Sequence, residues 1–208
     1  MNDPRRVAVF DFDGTLTRLD SLLPFLCRVA GTGRVVRALV PELPELARIA
    51  RGRGDRDASK ARVIARTLTG LDHDDVERTG AEYGRRLAER SIRPRLRQRI
   101  AWHRAQGHEV VIVSASLSLY LREVGRQLGV DEVLCTELEV DDTGALTGRL
   151  TGANCRGPEK AARLIAHLGG ADSELWAYGD SRGDDDLLAL AQHPTRVARR
   201  DRSIVFSP

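Results

Sequence analysis

Val7-Ala8-Val9-Phe10-Asp11-Phe12-Asp13-Gly14-Thr15-Leu16-Thr17 is the stretch on which the fold turns. Four apolar residues suited to a buried parallel strand run directly into two carboxylates one residue apart and then a Gly-Thr turn. Side chains alternate along an extended chain, so this spacing predicts Asp11 and Asp13 on one face at the strand's carboxyl end. Two carboxylates held that close repel each other unless a cation lies between them. A hard, oxygen-seeking ion such as Mg²⁺ fills that role and also takes a phosphate oxygen, which points to metal-assisted phosphoryl transfer with a carboxylate nucleophile. A strand followed by a solvated acidic turn reads the same way in isolation.

Outward from that stretch, strands and helices alternate, as a parallel sheet covered on both faces requires. After the first strand, however, residues 20–90 read as helix after helix. Leu22, Leu23, Phe25, Leu26 and Val29 recur at helical spacing. A helix over 35–49 carries Pro41 and Pro44, which kink or split it. Another spans 58–68, and Asp72 or Asp74 caps a fourth that runs to Arg90. The core resumes with a helix at 94–105, a strand at 109–114, a helix at 117–128 and a strand at 132–135. A β-hairpin over 137–149 follows, with Asp141-Asp142-Thr143-Gly144 at its turn. A helix over Pro158–Leu168, a strand at 174–178, a helix at 185–191 and short strands at 196–198 and 204–206 complete the order. The expectation is an α/β fold: a Rossmann-like parallel-sheet core, residues 1–19 and 91–208, with a small helical cap, residues 20–90, inserted after the first strand.

The 208 residues suffice for one such domain with its insertion. With 41% hydrophobic and 30% charged residues the composition is that of a globular protein. The net charge is only +3 although the pI is near 9.0, so bases are interleaved with acids. Aromatics are sparse as well, and together these argue against a nucleic-acid partner. Cys27, Cys135 and Cys155 are odd in number and lack C-x-x-C spacing, which predicts reduced thiols in a cytoplasmic protein. No apolar run is long enough to cross a bilayer. Apolar and basic residues on the cap leave peripheral membrane contact open.

Three further stretches suit the opening one. Val111-Ile112-Val113 delivers Ser114-Ala115-Ser116 to the sheet's carboxyl edge, where a hydroxyl and backbone N–H groups can hold phosphate oxygens. Lys60 and Lys160 are the only lysines in the chain. Lys160 stands at a helix start, where its charge opposes the macrodipole unless an anion is near, which makes it a phosphate clamp candidate. Tyr178-Gly179-Asp180 is a second strand-to-acid junction, placing Asp180 with Asp11 and Asp13 as metal ligands and Asp184 in support.

In this order the four stretches resemble the motifs of the haloacid dehalogenase superfamily of aspartate-nucleophile phosphatases, in its phosphoserine-phosphatase-like branch. Asp11-Phe12-Asp13-Gly14-Thr15 looks like the first motif, Ser114 the second, Lys160 the third and Gly179-Asp180-Ser181-x-x-Asp184 the fourth. The resemblance implies that a Mg²⁺-dependent phosphatase hydrolyses a small phosphomonoester through an aspartyl phosphate. Asp11 would be the nucleophile, Asp13 the general acid and base, and Ser114, Ala115 and Lys160 the phosphate-binding residues. Asp20 and Lys60 are the cap-side candidates for substrate contact. Asp20 stands where phosphoserine phosphatase carries a glutamate, and Gly183 replaces an asparagine, and both departures count against phosphoserine as the substrate. A lipid phosphate, such as a lysophospholipid or phosphatidylglycerophosphate, is an alternative substrate. A phosphotransferase of the same fold would retain every residue named. A dehalogenase needs the nucleophile but no metal, so Asp13, Asp180 and Lys160 together count against it, and a binding module would have no need to retain both Asp11 and Asp13.

Overall fold

In the computed structural model, which describes residues 4–198 with Ile204 and Phe206, β1 (Arg5–Phe10) occupies the middle of a six-stranded sheet. β2 (Glu109–Leu117) pairs with one edge of β1 and β5 (Ser173–Gly179) with the other, both parallel. Beyond β2 lies β3 (Glu132–Val140), parallel, and then β4 (Leu146–Thr151), antiparallel. β6 (His193–Arg196) extends the β5 side, giving the order β4-β3-β2-β1-β5-β6. The near-continuous apolar run of β1 follows from its position, since both faces are covered. Val7 and Val9 join a core formed with Leu164 of α8 (Pro158–Leu168) and with Leu187 and Leu188 of α9 (Asp185–Ala189). Ala8 and Phe10 face the opposite core, which contains Leu96 and Ile100 of α6 (Pro94–Ala105) and Leu121 and Val124 of α7 (Ser118–Leu128).

Five helices intervene between β1 and α6: α1 (Leu22–Ala30), α2 (Thr32–Leu39), α3 (Leu43–Ala50), α4 (Arg56–Leu68) and α5 (His73–Arg90). The helix expected over 35–49 is two helices joined by a 3₁₀ turn at Val40–Glu42. Pro41 and Pro44 explain the break, because each lacks an N–H and crowds the preceding turn. Glu42 in that turn is buried, and its carboxylate takes Arg62 at 2.8 Å, Arg66 at 2.6 Å and Ser59 at 2.9 Å, all from α4. Asp55 and Asp72 cap α4 and α5 by accepting from Ala58 and Asp75 N–H groups at 2.9 Å. α5 packs closely on α7 because Gly80 has no Cβ; one there would press into the Leu119 carbonyl.

Two strand expectations change. The strand at 132–135 and the first arm of the hairpin are one strand, β3, because the backbone remains extended through Thr136. The last described strand is 193–196 and not 196–198. Of the expected strand at 204–206, Ile204 and Phe206 are irregular and Val205 lies outside the described residues.

This order brings the carboxyl ends of β2, β1 and β5 side by side, with α8 beside them. Asp11, Ser114, Asp180 and Lys160 come from those four elements.

Candidate active site

The Asp11 N–H donates to the Tyr178 carbonyl at 2.9 Å, which fixes Asp11 at the junction of β1 and β5. From Phe12 to Leu16 the chain turns, with Gly14 at φ 89°. Strand alternation therefore ends before Asp13, and the two carboxylates acquire different partners. Asp11 accepts from Lys160 Nζ at 2.5 Å. Asp13 accepts from Ser21 N at 3.0 Å, Ser21 Oγ at 2.9 Å and Ser116 Oγ at 2.7 Å.

Lys160 is buried and also donates to Asp184 at 2.5 Å. Burial works against its charge, but Asp11 and Asp184 overcome this and hold its pKa above the ordinary lysine value. Asp184 in turn accepts from Ser181 N at 3.0 Å and Ser181 Oγ at 2.9 Å. Burial pushes Asp11 up to about 6, against the pull of Lys160. Burial, with the Asp20 charge next in importance, pushes Asp13 up to about 7.

Among the described residues, the buried acidic cluster comprises Asp11, Asp180 and Asp184, with ligand oxygens within 4.8 Å of one another. The carboxylate of Asp13, the other expected metal ligand, accepts instead from Ser21 and Ser116. Asp184, expected in support, lies inside the cluster but is engaged by Lys160 and Ser181. Asp180 is half-buried, and the Thr15 hydroxyl reaches it only at 3.5 Å. Gly14 makes room for it, since a Cβ there would collide with the Asp180 carboxylate. Three carboxylates around one ammonium leave excess negative charge, and an all-oxygen donor set of this kind fits a hard divalent cation.

A cavity of about 100 Å³ is lined by Asp11, Asp13, Ser114, Ala115 and Lys160 together with Asp20, Arg56 and Lys60. Lys60 Nζ donates to the Ala115 carbonyl at 2.5 Å and to Asn154 Oδ1 at 2.7 Å. Burial lowers its pKa to about 8. Asp20 is exposed and its carboxylate accepts from Leu22 N at 2.9 Å, so it also secures the start of α1. Ser114 is buried at a bulge in β2, and its Oγ accepts from Ser116 N at 3.2 Å.

Sequence reasoning missed Ser21, Ser116 and Tyr120 as a group. Tyr120 OH lies 2.8 Å from Ser21 Oγ, joining the Asp13 serines to α7. The i, i+2 spacing of Ser114 and Ser116 on a strand was the available signal; Tyr120 gave none. Asn154 and Arg156, which also line the cavity, sit in a loop without periodicity.

A family model described as haloacid dehalogenase-like hydrolase matches residues 8–189. Protein CicA of Caulobacter vibrioides is 36% identical over 190 residues, covering 91% of this chain and 84% of that protein. A phosphoserine phosphatase of Archaeoglobus fulgidus is 30% identical over 196 residues, covering 91% of this chain but 52% of its own length. A solved structure of a Bordetella pertussis Tohama I protein with unknown function superposes with a TM-score of 0.78 at 27% identity, covering 92% of this chain and 89% of that one.

Proposed function

The chain belongs to the haloacid dehalogenase-like hydrolase family, and from that premise we propose that it is a Mg²⁺-dependent phosphatase acting through an aspartyl phosphate on Asp11. The observation that carries this reading is the Lys160 ammonium, buried and 2.5 Å from both Asp11 and Asp184 at the end of the central strand. A cation there offsets the repulsion between a carboxylate nucleophile and an incoming phosphate dianion. Asp11 and Asp180 would hold Mg²⁺, which when bound neutralises charge on the nucleophile and on the phosphoryl oxygens.

An Asp11 oxygen attacks phosphorus while the bond to the leaving alcohol's oxygen breaks, and Asp13 delivers a proton to that oxygen. Water then attacks the aspartyl phosphate and Asp13 takes its proton, releasing phosphate and restoring Asp11. The Asp13 carboxyl suits both steps, since burial keeps its pKa near neutrality and its serine partners hold it in place. Ser114 and the backbone around Ala115 hold phosphoryl oxygens, and Asp184 positions Lys160. Residues 20–90 act as a cap over residues 1–19 and 91–208, carrying Asp20 and Lys60 to the substrate.

The purified protein is expected to release phosphate from phosphomonoesters with Mg²⁺ and to stop in excess chelator. Asp11→Asn is expected to lose on the order of a thousandfold or more in kcat with an unchanged melting temperature. Full turnover by that variant, or by metal-free protein in chelator, overturns the assignment.

A further inference from the structure

We infer that the alcohol released by this enzyme carries a hydrocarbon chain, which lies in an apolar cavity lined by α1, α2, α3 and α4. The inference rests on the phosphatase reading above. The cavity measures about 410 Å³ and is lined by Leu22, Leu23, Leu39, Leu46, Ile49 and Val63. It shares Asp20, Leu22, Arg56 and Lys60 with the smaller cavity over Asp11 and Asp13, so the two adjoin. Beyond those shared residues the only polar group on its wall is Ser59, whose hydroxyl is committed to Glu42 at 2.9 Å. Charge is thus confined to the end nearest the phosphate, and the remainder suits an aliphatic group. A short polar alcohol would leave that wall in water.

The wall is not closed core. Leu23 is 41% exposed and Leu46 39%, so the cavity meets solvent. Of the nine exposed large hydrophobic residues among those described, six fall within residues 19–46, and two of these, Leu23 and Leu46, line the cavity. Exposed apolar side chains that line a cavity mark a binding site more often than apolar residues scattered singly do. The cavity's place beside the one over Asp11 and Asp13 selects the occupant: the chain of the substrate itself.

The test is kcat/KM for n-alkyl phosphates from ethyl to dodecyl, with Mg²⁺ and below their aggregation concentrations. The constant is expected to rise roughly twofold to fourfold per added methylene until the cavity fills. Leu46→Glu is expected to flatten that rise, with thermal melts run beside the kinetics. Should Leu46→Glu fail to fold, Leu23→Gln at a second exposed lining position decides the same question. A flat wild-type profile with ethyl phosphate still hydrolysed overturns the inference and leaves the phosphatase reading standing. No turnover of any ester overturns the reading itself. A rise that survives the substitution removes the chain from this cavity. A dimer in sedimentation that Leu46→Glu dissociates assigns the surface to a second copy and also overturns the proposal.

Discussion

Asp11 and Asp13 are two residues apart, yet their chemistry is set by different neighbours. Lys160 faces Asp11 at 2.5 Å, whereas Ser21 and Ser116 hold Asp13. A carboxyl pushed up to about 7 and fixed by hydroxyls is suited to moving a proton, and one beside an ammonium is suited to attack. Asp13→Asn is therefore expected to lower kcat on an alkyl phosphate by about 10²–10⁴-fold. The loss on p-nitrophenyl phosphate, whose leaving group departs without a proton, is expected to be much smaller. Equal losses on both esters would remove the proton-transfer role. The Asp11–Lys160 pairing was legible in the sequence because each residue ends or begins an element whose place in a parallel sheet is predictable. The Asp13 environment was not, since it depends on a turn that halts strand alternation and on Tyr120 from a distant helix.

Among the elements, the joint between α2 and α3 exposes both what patterning reveals and what it hides. Pro41 and Pro44 announced the break, but nothing local announced that Glu42 would be buried there against Arg62 and Arg66. Those arginines hold the Glu42 carboxyl down at about 2. Its folded pKa lies below the ordinary 4.5, so its contribution is present above that value and is lost as pH falls through about 2. Glu42→Gln is expected to lower stability by about 1–2 kcal/mol near neutrality, a modest figure because the arginines are partly exposed. The variant is also expected to lose less stability than wild type on acidification from pH 4.5 toward 2, measured by denaturant titration. An identical acid profile would mean that Glu42 does not hold the joint. At the α5–α7 contact, Gly80→Ala is expected to cost about 1–3 kcal/mol, because the methyl has no room beside the Leu119 carbonyl. An unchanged melting temperature would show that the helices can separate freely.

At the scale of the molecule, Lys60 is one of the points where the helical segment meets the rest of the chain. The order of strands and helices was readable because parallel strands need covered faces and crossover connections. The approach of α1 and α4 to the site was not, because it is set by contacts between residues far apart in the chain. Lys60 is one such contact: α4 carries its ammonium to the Ala115 carbonyl and to Asn154, at the edge of the cavity over Asp11 and Asp13. Burial lowers its pKa to about 8 from the ordinary 10.5. Between those values the folded chain binds fewer protons than the unfolded one, so the Lys60 contribution to stability rises with pH. The charge available to a phosphate dianion falls over the same range. KM for a phosphomonoester is therefore expected to climb as pH passes about 8, with no loss of melting temperature on account of Lys60. Lys60→Met is expected to raise KM near neutrality more than it lowers kcat, the pattern of lost uniform binding, and to abolish the alkaline climb. If wild type and Lys60→Met show the same KM profile across that range, Lys60 joins the two parts of the chain without binding substrate.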